Sequence, residues 1–312
     1  MAAWKILLTD GLEQNGQEIL RSSAQVDDRG GISAEDLLKI VGEYDALIVR
    51  GRTKVTPAVF DAAHQLKVVG RAGVGVDNID LNAARSHNVT VVNSPTATTI
   101  AVAELTLGMM LALGRELARA DASMKAGKWL KKELEGCELY RKTLGIIGFG
   151  RIGSSVAQRA AAFDMEIIGY DPKIGDDIRE RGGIPVSLDE LYARSDIISL
   201  HTPLNDSTRG MINAAAIGKM KDGVRIICAA RGGIIVEDDL LAALNSGKVA
   251  GAALDVFAVE PPGLTALVSH PHVLAIPHIG AQTIEAQQRA AVDISTEILA
   301  ALNGEPLRWK VA

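Results

Sequence analysis

The chain has 312 residues, 47% of them hydrophobic and 23% charged, with a formal net charge of −5. That is enough chain for a large core and two domains, and the negative balance argues against bulk attraction to nucleic acid or an anionic membrane. Cys137 and Cys228 stand far apart in no metal or CxxC pattern, which fits a reduced, cytoplasmic setting. The sequence enters a strand directly after Ala2-Ala3, so no signal peptide is expected. The apolar run 99–114 carries Glu104 and is followed closely by charges, so it reads as a buried core or dimer helix rather than a membrane span.

In chain order, residues 5–9 read as a buried strand, followed by a turn at Asp10-Gly11 and a helix to about Arg21. Ser33 is placed to cap a helix through Leu37, Leu38 and Val41, with Asp36 at the capping-box position. Residues 46–49 form a strand that ends at the basic loop Arg50-Gly51-Arg52-Thr53-Lys54, and Thr56-Pro57 opens the next helix. Residues 66–69 run into Arg71-Ala72-Gly73-Val74-Gly75, and residues 89–92 end at Asn93-Ser94-Pro95. Five strands alternating with helices argue for an open parallel sheet, whose ligands sit beyond the carboxyl ends of its strands. A long helix over about 98–124 leads to a second series of strands beginning near Leu144, Glu166, Asp196, Val224, Gly251 and His272. Asn213 and Glu237 lie near the starts of intervening helices, and a last helix spans about 283–303.

The second series opens on the most informative stretch. The apolar run Leu144-Gly145-Ile146-Ile147 leads into Gly148, Gly150 and Gly153, the spacing of a dinucleotide-binding fingerprint between a strand and a helix that starts near Arg151. The first glycine permits the tight turn, the second lets backbone approach a pyrophosphate, and the third lets helix and strand pack closely. The next apolar strand ends at Asp171, roughly twenty residues on, where an acid accepts the ribose hydroxyls and repels the extra phosphate of NADP. The cofactor expected is therefore NAD. The architecture expected is α/β, with two Rossmann-like or flavodoxin-like parallel-sheet domains. The NAD domain, 98–284, is inserted into a substrate domain made of 1–97 and 285–312, with hinges near 96–99 and 282–286.

A nicotinamide supplies a hydride acceptor, so the protein must supply a proton acceptor and a cation for the substrate. Three residues at predicted strand ends suit these roles: Arg231, Glu260 and His278. Histidine titrates near neutrality and can take an alcohol's proton. A neighbouring carboxylate can hold its ring, and arginine offers a planar fork for a carboxylate. Each has a plain alternative, as a backbone-bonded His, a loop Glu before Pro-Pro and a helix-capping Arg. Together, within a dinucleotide fold, they form a coherent set. Arg50, with Arg52 beside it, offers a local positive site for a phosphate or carboxylate, because Arg50 directly follows a strand end. The alternative there is a solvated basic turn. No metal site is expected.

Ala230-Arg231-Gly232-Gly233, Asp255-Val256-Phe257 with Glu260-Pro261, and Pro277-His278-Ile279-Gly280-Ala281 resemble the signatures of D-isomer-specific 2-hydroxyacid dehydrogenases. The resemblance spans nearly the whole chain. Within the family, Val49-Arg50, Thr53-Lys54-Val55-Thr56, the run from Val68 to Gly73 and Gly75-Val76-Asp77-Asn78 are most similar to members that oxidise 3-phospho-D-glycerate. The resemblance implies that His278 is the acid/base, Glu260 its orienting partner and Arg231 the substrate anchor. It places Asp255 by the nicotinamide carboxamide near Ala229 and Ala230, Thr202 and Pro203 along the cofactor, and Arg151 and Ile152 at the pyrophosphate. His278, Gly280, Ala281 and Arg231 border the cofactor as well. Val74 lies near the nicotinamide, with the backbone of Gly73, Val74 and Gly75 facing the substrate carboxylate. The resemblance also implies binding between the domains with hinge closure, and a homodimer or higher homo-oligomer built on the helix after Thr98.

The chain departs from that branch at Thr96-Ala97-Thr98-Thr99, where an Asn is common. A polar substrate contact is then lost or replaced by a Thr hydroxyl. Nothing after the last helix resembles a serine-sensing domain, so no serine feedback through such a domain is expected. The activity expected is NAD-dependent oxidation of 3-phospho-D-glycerate. Glyoxylate or hydroxypyruvate reduction, another D-2-hydroxyacid dehydrogenase, and an NAD-sensing corepressor-like binding protein stay open.

Overall fold

The computed structural model describes residues 4–312. It divides into two compact units, one formed by the chain up to Thr98 together with Ala281–Ala312, the other by Thr99–Gly280. The expectation about a signal peptide turns on residues 1–3, which lie outside the described residues. No described helix is long and apolar enough to cross a membrane.

The first unit is built on β1 (Trp4–Leu8), β2 (Ala24–Asp28), β3 (Ala46–Val49), β4 (Val68–Arg71) and β5 (Thr90–Asn93). They form one sheet in the order β2-β1-β3-β4-β5, with every pairing parallel. The central strand β3 is buried along its whole length, and a strand covered on both faces must be apolar throughout. The sequence pattern assigns ranges to four of these strands and none to β2. That edge strand, Ala-Gln-Val-Asp-Asp, is only half-buried, so no apolar run announces it.

Crossover helices α1 (Gln14–Arg21), α2 (Ala34–Ile40), α3 (Pro57–Ala62) and α4 (Leu81–Ser86) join the strands. Ser33 caps α2 as expected, its hydroxyl accepting the Asp36 amide at 3.0 Å. Thr56 sits at the cap position of α3, but its side chain makes no capping bond. The final helix α11 (Ile284–Asn303), capped by Thr283, covers one face with Ala291, Ile294 and Ile298 fully buried. Gly16 lets α1 approach it closely. A Cβ there would meet the Ala291 carbonyl oxygen at 2.7 Å, and the Ser295 hydroxyl donates to the Gly16 carbonyl at 2.9 Å.

The second unit begins with α5 (Thr99–Gly114) and α6 (Leu117–Lys125). The sequence suggests a single helix over 98–124, and the structure corrects this. Glu116 takes a left-handed conformation at φ 51° and pairs with Arg119. The Gly114 carbonyl accepts the Cys137 amide at 2.8 Å, a bond from a distant loop that helical periodicity cannot reveal.

Seven strands follow: β6 (Thr143–Ile147), β7 (Glu166–Tyr170), β8 (Ile184–Pro185), β9 (Ile197–Leu200), β10 (Val224–Cys228), β11 (Val249–Leu254) and β12 (Val273–Ala275). Their order is β12-β11-β10-β9-β6-β7-β8, again all parallel. The two-residue edge strand β8 has no counterpart in the sequence reading. Helices α7 (Arg151–Ala161), α8 (Leu188–Arg194), α9 (Ala214–Gly218) and α10 (Glu237–Asn245) lie between the strands. Each sheet therefore reverses direction once, between β1 and β3 in the first unit and between β6 and β9 in the second.

Replacing Gly16 with Ala raises helix propensity yet forces backbone apart from Ala291. We expect a loss of about 1–3 kcal/mol, the range for an overpacked contact, read as a lower urea midpoint.

Candidate active site

At the reversal point of the second sheet, β6 runs into Gly148-Phe149-Gly150 and then α7. Gly148 has φ 92°, and a Cβ there would meet the His201 carbonyl oxygen at 2.6 Å. A Cβ at Gly153 would meet the Gly148 carbonyl oxygen at 2.1 Å. At Gly150, by contrast, a Cβ would meet nothing within 4 Å. That glycine leaves open space directly before the first turn of α7, whose amides have no intrahelical acceptors. The arrangement is a cradle for an anion, as a pyrophosphate requires.

The walls of the cradle come from neighbouring strand ends. Asp171 follows β7, and its Oδ2 accepts the Phe149 amide at 2.9 Å while its Oδ1 accepts the Lys173 amide at 2.9 Å. The carboxylate therefore fixes the glycine loop from the end of the neighbouring strand. His201-Thr202-Pro203 follows β9. The Thr202 hydroxyl and His201 Nδ1 are buried with no hydrogen-bond partner, so polar groups here await an acceptor or donor. His201 Nε2 meets the Ser199 hydroxyl at 2.8 Å. Burial holds the His201 imidazole down at about 4, so its ring is neutral near pH 7. An open glycine, amides without acceptors, a fixed acid and unpaired polar atoms together fit a dinucleotide.

Three consecutive strands, β10, β11 and β12, deliver the remaining candidates at the same edge. Arg231 lies three residues past β10, with its Nη1 donating to the Ala230 carbonyl at 2.7 Å. A Cβ at Gly232 would meet the Phe257 carbonyl oxygen at 1.8 Å, so this glycine allows the loop after β10 to lie against the loop after β11. In that second loop Glu260 divides its carboxylate. Oε1 accepts the Phe257 amide at 3.1 Å, and Oε2 meets His278 Nδ1 at 2.7 Å. A carboxylate only accepts, so Nδ1 carries the proton and Nε2 is left as the basic nitrogen. The His278 side chain is half-exposed, so Nε2 can reach a bound molecule.

His278 stands at φ 50°, a conformation uncommon outside glycine. What holds it there is Asp255, the first residue past β11. Asp255 is 1% exposed, and its two oxygens accept the Ile279 amide at 2.7 Å and the Gly280 amide at 2.8 Å. Burial raises its pKa, an effect the two amides partly offset. Sequence reasoning assigns Asp255 to the cofactor and misses this second duty, because the acceptor and the amides lie 24 and 25 residues apart. It also misses Glu237, whose carboxylate accepts the Ala258 amide at 2.7 Å and steadies the Glu260 loop. Cys228 is buried beside Arg231, and its thiol is pushed up to about 11, out of reach of thiolate chemistry near pH 7.

The other candidates belong to the first unit and line its own carboxyl edge. The Gly73 amide donates to the Ser94 hydroxyl at 2.6 Å and the Val74 carbonyl accepts the Asn93 side chain at 2.7 Å; Gly75 follows in the same loop. Arg50 directly follows β3 and is paired with Glu13. Arg52, half-exposed, has several partners. Its donors go to the carbonyls of Ile32, at 3.0 Å, and Thr9, at 2.6 Å, and it stands 3.1 Å from Asp10. Arg52 thereby ties its loop to the segments that follow β1 and β2. Ala281 is the first residue of the returning segment, and its carbonyl accepts the Gln287 side chain at 2.7 Å.

Residues 107–280 match the family described as D-isomer specific 2-hydroxyacid dehydrogenase, NAD binding domain. The chain belongs to that family. The resemblance read from its strand-end motifs is borne out, as is NAD as the cofactor of this domain. The chain is 46% identical over 308 residues to D-3-phosphoglycerate dehydrogenase of Synechocystis sp., covering 98% of this chain and 56% of that one. It is 47% identical over 303 residues to D-3-phosphoglycerate dehydrogenase of Methanocaldococcus jannaschii, covering 96% and 58%. The chain thus spans a little over half the length of these curated relatives. Among solved structures it resembles a glyoxylate reductase from Paecilomyes thermophila, at 33% identity and a TM-score of 0.89, over 100% of this chain and 99% of that one. It also resembles D-lactate dehydrogenase from Aquifex aeolicus complexed with NAD and lactic acid, at 31% identity and a TM-score of 0.84, with 96% of each chain covered.

Two outcomes follow for this domain. Asp255→Asn places an amide NH2 against one of two backbone amides. It should cost about 1–3 kcal/mol of stability, the penalty of an unsatisfied buried donor, and lower turnover through disorder at His278. A His201→Gln variant should flatten the acid side of the stability profile. As the pH falls through 6.5 the unfolded chain takes up a proton at His201 while the folded chain, at about 4, does not, so stability drops across that window. Urea midpoints near pH 7 and pH 5 should lie closer together in the variant than in the wild type.

Proposed function

We propose that this chain is an NAD-dependent dehydrogenase that oxidises 3-phospho-D-glycerate to 3-phosphohydroxypyruvate. The observation that carries the chemistry is the Glu260–His278 contact at 2.7 Å, at the same sheet edge as the dinucleotide cradle. The substrate assignment is supported by relatives 46% and 47% identical over nearly the whole chain that bear the name D-3-phosphoglycerate dehydrogenase.

In the proposed mechanism Gly148, Gly150 and Gly153 with the amides of Arg151 and Ile152 hold the pyrophosphate, and Asp171 holds the ribose hydroxyls. Thr202, Pro203, Ala229, Ala230, Asp255, Gly280 and Ala281 border the rest of the cofactor. NAD supplies the acceptor for the hydride that leaves C2. His278 Nε2 takes the C2 hydroxyl proton as the C–H bond breaks, and Glu260 stabilises the imidazolium that results. Arg231 holds the substrate carboxylate and polarises the C2 oxygen. Arg50 reads the phosphate, and the backbone of Gly73, Val74 and Gly75 contributes to the same substrate. The Thr96–Thr99 segment takes the place of the more usual Asn. In this proposal Thr99–Gly280 is the NAD domain, the remainder binds substrate, and the protein works in the cytoplasm as a homodimer or larger homo-oligomer.

One observation favours a second reading: the full-length match to a structure described as a glyoxylate reductase. NADH oxidation with 3-phosphohydroxypyruvate, hydroxypyruvate, glyoxylate and 2-oxoglutarate separates the two. The proposal expects a strong preference for the phosphorylated acid, and equal or better rates with glyoxylate would replace it with the reductase. His278→Asn should lower turnover by about 10²–10⁴-fold, the usual contribution of a general acid–base. Undiminished turnover would remove His278 from the mechanism.

A further inference from the structure

The reversal point of the first sheet carries its own charged device. Ligands of a doubly wound sheet bind where the strand order reverses, beyond the carboxyl ends of the strands. In this unit that point lies between β1 and β3. Asp10 and Glu13 follow the first of these strands and Arg50 follows the second. Arg50 is paired through Nη2 with Glu13, while its Nε is buried with no hydrogen-bond partner.

The two acids have different duties. Asp10 is a fixture of the loop. It accepts the Arg50 amide at 2.7 Å, the Thr53 amide at 3.1 Å and the Thr53 hydroxyl at 2.6 Å, and its side chain is 4% exposed. Asn78 fastens the same loop, donating to the carbonyls of Arg50 at 2.9 Å and Thr53 at 2.6 Å. Glu13 has no such role. It stands at the cap position of α1, where its carbonyl accepts the Gly16 and Gln17 amides, yet its side chain makes no capping bond and is hydrogen-bonded to Arg50 instead. The Arg50 backbone is fixed, and only its counter-charge can be exchanged.

We propose that Glu13 is a specificity-determining residue, an internal counter-anion that occupies Arg50 until a substrate phosphate displaces it. Glu13 engages Nη2 and leaves Nε unpaired. A phosphate oxygen pair can take Nε and an Nη donor together, the bidentate geometry arginine favours. A phosphate near neutral pH also carries about −1.5 to −2 charges against −1 for the carboxylate. An unphosphorylated acid has neither advantage and leaves the Glu13–Arg50 pair closed. Displacing Glu13 costs the phosphorylated substrate alone, so the pair moderates the preference that Arg50 confers, and freeing Arg50 raises it. This inference rests on the proposed assignment of a phosphorylated 2-hydroxy acid.

The test compares wild type, Glu13→Gln and the double variant Glu13→Gln/Arg50→Gln, each loaded with NADH so that the pyrophosphate cradle is filled. Binding of inorganic phosphate is followed by phosphorus NMR titration, and the kcat/KM ratio of 3-phosphohydroxypyruvate to hydroxypyruvate is measured beside it. Glu13→Gln should bind phosphate about fivefold more tightly, the weight of one partly exposed ion pair, and raise the ratio by a similar factor through KM. The double variant should lose both gains, and Glu13→Asp, which keeps the charge, should bind phosphate as wild type does. Unchanged or weaker phosphate binding by Glu13→Gln would overturn the proposal and make Glu13 a support for Arg50. A wild type with no preference for the phosphorylated acid would refute the substrate assignment instead. The phosphate titration still decides the role of Glu13 in that case, because it needs no turnover.

Discussion

Every strand of both sheets runs parallel to its neighbours, and a parallel pair needs a crossover that carries the chain back to the starting edge. Each strand therefore hands its following loop to one and the same edge of its sheet. Chemistry in this protein is gathered by that constraint. The glycine cradle follows β6, Asp171 follows β7, His201 follows β9, Arg231 follows β10, Asp255 and Glu260 follow β11, and His278 follows β12. Residues as far apart along the chain as Gly148 and His201 become neighbours at that edge because strand direction leaves them nowhere else to go.

Loops at such an edge start with backbone amides that no ladder satisfies, and an unpaired amide is costly once buried. The same solution recurs in both units. Asp10, Asp171 and Asp255 each stand one or two residues past a strand, and each accepts at least two backbone amides. Hydrogen bonds to a carboxylate are stronger than neutral ones, so these acids fasten loops that would otherwise be mobile. Asp255 shows the mechanical consequence. By gripping the amides of Ile279 and Gly280 it stabilises a left-handed His278, and that backbone turn carries the imidazole to Glu260. Positioning of the His278 imidazole is therefore shared between a buried acid that holds the backbone beside it and a half-exposed acid that holds the ring.

The glycines do the complementary work of removing atoms where chain segments meet. Gly16 brings α1 onto α11, Gly153 brings α7 onto the turn after β6, and Gly232 brings the loop after β10 onto the loop after β11. At each, a methyl group would overlap backbone, which cannot move aside as a flexible side chain can. Gly150 differs from these three, since the space beside it, at the start of α7, is open.

Local pattern was enough to place much of this. Continuous apolar runs announced β3 and most of β6 because strands covered on both faces are largely apolar. The glycine spacing, the capping residue Ser33, and the three strand-end motifs around Arg231, Glu260 and His278 were legible because each is a short stretch with its own chemistry. Tertiary structure decided what depends on distant partners. The half-buried edge strand β2 exists because β1 pairs with it, not because Ala-Gln-Val-Asp-Asp favours a strand. The helix after Thr98 breaks because the Cys137 amide takes the Gly114 carbonyl. Arg50 and Arg52 look alike in a basic loop, and only the fold gives one to a releasable Glu13 and the other to fixed carbonyls and Asp10. The sequence by itself determined which chemical groups the strand ends carry, since residue type and spacing are local. Which of those groups are bound up and which are left to act was decided by long-range contacts that no spacing along the chain records.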